Sequence, residues 1–229
     1  VVVHILYNNE AEKSISAQSI IDQIELLHKA FAAENYSELD DVDSDSDHLI
    51  GTSPFRFCLA RTDPNGNPTS GVIKVATNRS HFPPCKDIIS TTALGGHDPW
   101  DVTRYVNVWV ADLKYDGPAC LPYNLSGEAD LTGFGTNFYF ANKGFWGNST
   151  PGVLIDYTEF GAGKKTLVHE MGHYLGLRHM FGVSGSSCST ITYDTDSIPD
   201  TPTIPIPTTK CRCCERDLCD VPNVTHDEY

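Results

Sequence analysis

One segment limits the fold of this chain more than any other. Residues 169–179 read His169-Glu170-Met171-Gly172-His173-Tyr174-Leu175-Gly176-Leu177-Arg178-His179, the pattern H-E-x-x-H-x-x-G-x-x-H. Four residues of α-helix advance about 400°, so His169 and His173 fall roughly 40° apart on one face, one turn separated, and their imidazoles can converge on a single ion. Glu170, next along the helix, can reach a metal-bound water from the side without being a ligand, the position a general base requires. Gly176 takes backbone conformations that strain other residues, so the chain can leave the helix axis and bring His179 back to the same ion. Three neutral nitrogens plus a water make an open, catalytic zinc site; a structural site normally closes its fourth position with Cys or His. At this chain's own His, Glu and Gly frequencies the full pattern arises by chance in about one of twenty thousand sequences, and the bare H-E-x-x-H in about 1.5%. The extended pattern is therefore informative where the short one is not.

The chain of 229 residues, 40% of them apolar, can build one sizeable core or two small lobes sharing a cleft. Val1–Tyr7 reads as a buried strand, followed by a turn at Asn8-Asn9 and a helix. The helix places Ala17, Ile20, Ile21, Ile24, Leu27 and Phe31 at helical spacing, with Ser16 as its N-cap. Further strands are predicted at Phe55–Leu59, Gly71–Val75, Tyr105–Val110 and Val153–Tyr157, with Val106, Val108 and Val110 on one face. A helix is predicted over Gly161–Leu175. From Gly182 the text turns to Ser, Thr, Pro and Cys with little periodicity, so ligands or crosslinks must hold this stretch more than a core does. No internal repeat is present.

Sixteen basic residues against thirty acidic ones give a net charge of −14, which repels phosphate backbones and anionic membranes. Neither nucleic acid nor a membrane is expected as a partner, and no run approaches eighteen apolar residues. The opening Val1–Tyr7, without an initiator Met or signal peptide, reads as a soluble, already processed or trimmed chain. Eight cysteines, at positions 58, 85, 120, 188, 211, 213, 214 and 219, suggest disulfides in an oxidising compartment, with reduced buried thiols as the bland alternative. Five N-glycosylation sequons, at Asn35, Asn78, Asn124, Asn148 and Asn223, favour secretion. The acidic stretch Asp40–Asp47 resembles the start of an EF-hand loop, but His48 stands where the loop needs Gly and Pro54 where it needs its closing Glu. It reads as a solvated acidic loop.

The sequence resembles the metzincin metallopeptidases and, within them, the pappalysin family. The likeness is carried by Val1–Tyr7, Phe57–Ala60, Tyr105–Val110, Gly161, the 169–179 segment and Asp196-Ser197-Ile198-Pro199-Asp200-Thr201-Pro202. It implies an α/β fold: a twisted, mainly parallel five-stranded sheet with backing and active-site helices, above a small irregular disulfide-held lower subdomain. The single catalytic domain would divide into an upper part, 1–178, and a lower part, 179–229. The resemblance also assigns zinc to His169, His173 and His179 and the base role to Glu170. The 196–202 block looks like a family calcium site using Asp196, Ile198, Asp200 and Thr201, and hard oxygen ligands suit that ion; a plain Asx-rich turn is the competing reading. The family's disulfides imply a pair Cys188–Cys219, with Cys211 lacking its family partner and Cys213 or Cys214 as a replacement. A zinc knuckle over 211–219 is the alternative.

The chain departs from the family in one respect. Metzincins carry a methionine-containing turn beneath the zinc, and the only methionines here are Met171 and Met180. The segment Asn223–Tyr229 reads either as a divergent version, with Tyr229 in place of the zinc-facing tyrosine, or as a truncated or alternatively spliced end. The expected function is a secreted zinc endopeptidase in which Glu170 activates the zinc-bound water against an extended peptide or protein substrate. That substrate would lie along an edge strand, near residues 114–125 or the strand at 105–110, and the acidic balance favours basic cleavage sites. The alternative, motivated by the missing turn, is a catalytically impaired zinc-binding homologue that sequesters peptides or proteins.

Overall fold

The computed structural model describes residues 1–34, 51–83, 86–114, 127–129 and 152–177. One compact unit comprises Val1–Asn35 and Thr52–Gly176, and a second comprises Tyr36–Gly51 and Leu177–Tyr229. The first unit begins with β1 (Val2–Tyr7), buried along its length until Tyr7. Asn9 caps a one-turn helix α1 (Glu10–Lys13), and the buried Glu12 carboxylate in return accepts the Asn8 backbone N–H at 2.6 Å. Ser16 then accepts the Ser19 N–H at 3.0 Å and starts α2 (Ala17–Phe31), as its sequence position predicts. After these come β2 (Val72–Ala76), α3 (Lys86–Ile89), β3 (Asn107–Ala111), β4 (Gly127–Ala129), β5 (Val153–Asp156) and α4 (Thr166–Tyr174).

The strands form one sheet in the order β2-β1-β3-β5-β4. The first four are mutually parallel, with Val3 opposite both Val72 and Val108, and Val108 opposite Val153. β4 runs antiparallel on the outside of β5, with Glu128 opposite Leu154. β3 and β5 are buried at every residue, as parallel strands covered on both faces must be. On one face Val3, Ile5, Val108, Val110, Val153 and Ile155 pack with Ile20, Ile24 and Leu27 of α2 and with Leu167 and Met171 of α4. On the other, Leu6, Trp109, Ala111 and Leu154 pack with Phe82, Ile89 and Leu113.

A polar cluster lies within that second layer. Asn107 Oδ1 accepts the Trp100 backbone N–H at 2.9 Å and also faces His4 Nε2 at 2.9 Å, so His4 donates from Nε2. His4 Nδ1 is then the acceptor for His97 Nδ1–H, at 2.9 Å. His4 is fully buried and stacks on Trp109, whose indole N–H donates to the His97 carbonyl.

Several sequence expectations need correction. Phe55–Leu59 alternates like a strand but joins no strand of the sheet, in which β1 lies between β2 and β3. Its residues instead meet the end of β1, where the Val1 amino group donates to the Cys58 carbonyl and the Ala60 N–H to the Val1 carbonyl. The predicted helix from Gly161 begins only at Thr166, because Gly161 and Gly163 have φ of +133° and +75°, outside any right-handed helix. The strand at 105–110 cannot offer an edge to substrate, since β3 is paired on both sides. Among the described residues no helix is long and apolar enough to cross a membrane. Cys58, also among them, is exposed and unbridged.

Candidate active site

α4 is built to show two faces. Leu167 and Met171, four residues apart, are completely buried and fix one side of the helix in the core. His169 and His173, also four apart, start two residues later, about 200° around the helix, so the anchoring pair and the imidazole pair point in opposite directions. The imidazoles meet through the same ring atom: His169 Nε2 and His173 Nε2 are 3.1 Å apart, with ring centroids 4.6 Å apart and planes at 84°. Two nitrogens bound tetrahedrally to zinc at about 2.0–2.1 Å are separated by roughly 3.3 Å, so the pair is spaced as one edge of such a site. Partial burial, and after it the nearby His173, lower the His169 pKa below the usual histidine value. Both effects favour the neutral imidazole, the form that ligates metal. Glu170, between them in sequence, is buried with 7% exposure.

The helix ends where its sequence requires. The Leu175 and Gly176 N–H groups close on the carbonyls of Met171 and His173, and Gly176 turns to φ +104°, a conformation only glycine takes freely. His179 lies outside the described residues, as do the predicted calcium ligands Asp196, Ile198, Asp200 and Thr201, the cysteines Cys188 and Cys219, Tyr229, the acidic 40–47 stretch and residues 115–126. Among the described residues no group of three or more His, Cys, Asp or Glu side chains could hold a metal ion. His169 and His173 supply two nitrogens of the right chemistry and spacing for zinc.

Two features escaped sequence reasoning. β4 is three residues long and gives no alternation to read, yet it is the outer strand beside β5. Gln23 sits at the centre of the apolar stripe of α2 and is fully buried; a lone amide among Ile20, Ile24 and Leu27 was a visible signal that it has partners elsewhere.

Residues 95–228 match the Peptidase M43 family model, described as pregnancy-associated plasma protein-A. No curated protein matches the chain. Among solved structures, mature mirolysin of Tannerella forsythia in complex with a cleaved peptide is 36% identical with a TM-score of 0.72, over 89% of this chain and 70% of that one. A promirolysin mutant from the same organism is 35% identical with a TM-score of 0.71, over 89% of this chain and 62% of that one. Mirolysin in complex with compound 9 is 36% identical with a TM-score of 0.73, over 89% and 70%.

Proposed function

The chain belongs to the pappalysin family of metzincin metallopeptidases and is a zinc metalloendopeptidase, and from that premise we propose that His169, His173 and His179 hold the zinc while Glu170 is the general base of peptide hydrolysis. The observation that carries the assignment is the 3.1 Å approach of the two Nε2 atoms on the helix that also bears Glu170. Zinc, when bound, supplies Lewis acidity that lowers the pKa of water towards about 7 and polarises a carbonyl. Glu170 takes a proton from the attacking water on its carboxylate and returns it to the leaving amine nitrogen. Leu167 and Met171, both wholly buried, hold the inner face of the helix against the core.

The substrate is an extended peptide or protein lying antiparallel to an edge strand. β4 suits this role: β5 occupies one of its sides, and among the described residues no strand pairs with the other. The net charge of −14 favours basic residues near the scissile bond. The chain acts outside the cell, a reading supported by its eight cysteines and five sequons, of which Asn78 is exposed. In this reading residues 1–178 are the upper subdomain of a five-stranded fold and 179–229 a lower one. The lower part is held by disulfides, including Cys188–Cys219, and by calcium at Asp196, Ile198, Asp200 and Thr201, with Tyr229 in the place of the zinc-facing tyrosine.

The test is cleavage of denatured casein or gelatin by the parent protein, with and without a zinc chelator, beside Glu170→Gln. The parent should give chelator-sensitive fragments, and Glu170→Gln should keep stoichiometric zinc by elemental analysis while losing about 10²–10⁴ in kcat. Undiminished proteolysis by the zinc-loaded variant overturns the base assignment.

A further inference from the structure

α4 starts without a side-chain cap. Lys165 occupies the N-cap position with helical backbone angles, and its side chain makes no capping hydrogen bond. The helix therefore depends on the preceding turn for its position. That turn is tight: the Lys164 N–H closes on the Gly161 carbonyl at 3.1 Å, and the His169 N–H then reaches the Lys165 carbonyl at 3.1 Å as the helix begins. Gly161 and Gly163 both have positive φ, which glycine takes as readily as negative φ, so the sequence permits this turn without fixing its position.

Glu159 reaches the turn through the Lys164 ammonium at 3.2 Å and the helix start through the Thr166 hydroxyl at 3.5 Å, but the bonds to the turn's backbone come from α2. The Gln23 side chain is fully buried, and both ends of its carboxamide are used on this turn. Its Oε1 accepts the Gly161 N–H at 2.9 Å, and its Nε2 donates to the Lys164 carbonyl at 3.0 Å. The two helices also share an apolar cluster, to which Ile20, Ile24 and Leu27 contribute from α2 and Leu167 and Met171 from α4. Apolar packing resists separation but has little directional preference along the helix axis, whereas a bidentate amide bond fixes both ends of the turn. His169 follows Lys164 by five residues, about 7.5 Å of helical rise, so a displacement of the turn is passed directly to the imidazoles and to Glu170.

We propose that Gln23 is a positioning residue for the catalytic helix: its carboxamide pins the Gly161–Lys164 turn and so sets the axial placement of His169, Glu170 and His173. The inference rests on the reading of α4 as the zinc-bearing helix. Loss of the clamp should loosen the metal and misplace the base while leaving the substrate-binding edge intact.

The test compares the parent with Gln23→Met, which keeps length and volume but removes both hydrogen bonds, and with Gln23→Glu, which keeps the acceptor for Gly161. Zinc affinity is read with the metal alone, by competition against a chromophoric chelator, with no peptide present; kcat, KM and the melting temperature are read separately. Gln23→Met should weaken zinc about tenfold and lower kcat about tenfold or more per folded molecule, with KM within about twofold. Gln23→Glu should fall between it and the parent in both zinc affinity and kcat. A lowered melting temperature with zinc affinity and kcat within about twofold of the parent overturns the proposal, as does failure of both variants to fold, which leaves Gln23 a core residue only. If the parent binds zinc but cleaves nothing, the peptidase reading fails, and the affinity comparison still decides the role of Gln23.

Discussion

His4 couples the stability of the protein to acid. Burial pushes its pKa down to about 4; the hydrogen bond to Asn107 opposes that shift and His97 adds to it. Its surroundings leave little room for a charge: Nδ1 accepts from His97, Trp109 covers the ring, and Asp98 acts on His97 but is not among the groups that shift His4. The unfolded chain protonates His4 near its usual value of about 6.5, while the folded chain does so only near 4. Between those values the unfolded state binds more protons, so stability present above pH 6.5 is lost as pH falls towards 4 and is constant below. The shift corresponds to about 3 kcal/mol at full effect. Urea denaturation at pH 7, 5.5 and 4 should show the parent losing more stability than His4→Gln over this range, and parallel curves would remove His4 as the cause. At this scale the sequence was legible where partners are close in the chain: Ser16 with Ser19, or His169 with His173. It was not where they are distant, as for Gln23 and Gly161, 138 residues apart.

Among the elements, β5 and β3 show how little space the sheet leaves. Gly152 stands just before β5, and a Cβ there would lie 2.3 Å from Trp109 Cζ3 and 2.9 Å from the Asn107 carbonyl. The indole cannot withdraw, since it is wholly buried and its N–H is held by His97. Gly152→Ala should therefore destabilise the fold by about 1–3 kcal/mol, measured by chemical denaturation, and a variant as stable as the parent would show that β3 and β5 can separate there. Both strands were readable as apolar runs, and α2 as a stripe with a cap. The short α1, α3 and β4 were not, because three or four residues carry no period. Phe55–Leu59 misled for the opposite reason: it has the alternation of a strand, but alternation does not supply a pairing partner, and β1 already has two.

For the molecule as a whole, we propose that the stretch beyond Gly182, whose sequence has few periodic apolar residues, draws its stability from ligands and crosslinks. If Asp196, Ile198, Asp200 and Thr201 hold calcium, an ion bound only by the folded chain raises the melting temperature. A calcium-selective chelator should lower that temperature and calcium should restore it; an unchanged transition with no calcium in elemental analysis would dismiss this site.

The sequence by itself determined the family, because the 169–179 pattern depends on spacing within one helix and one glycine break, both local properties. The apolar runs showed where strands lie, and the resemblance to the family implied that their sheet is mainly parallel. Tertiary structure alone decided which strands lie at the edge and which do not, where α4 begins, and what holds it in place. Those outcomes depend on hydrogen-bond partners brought together from distant parts of the chain, and no local period encodes them.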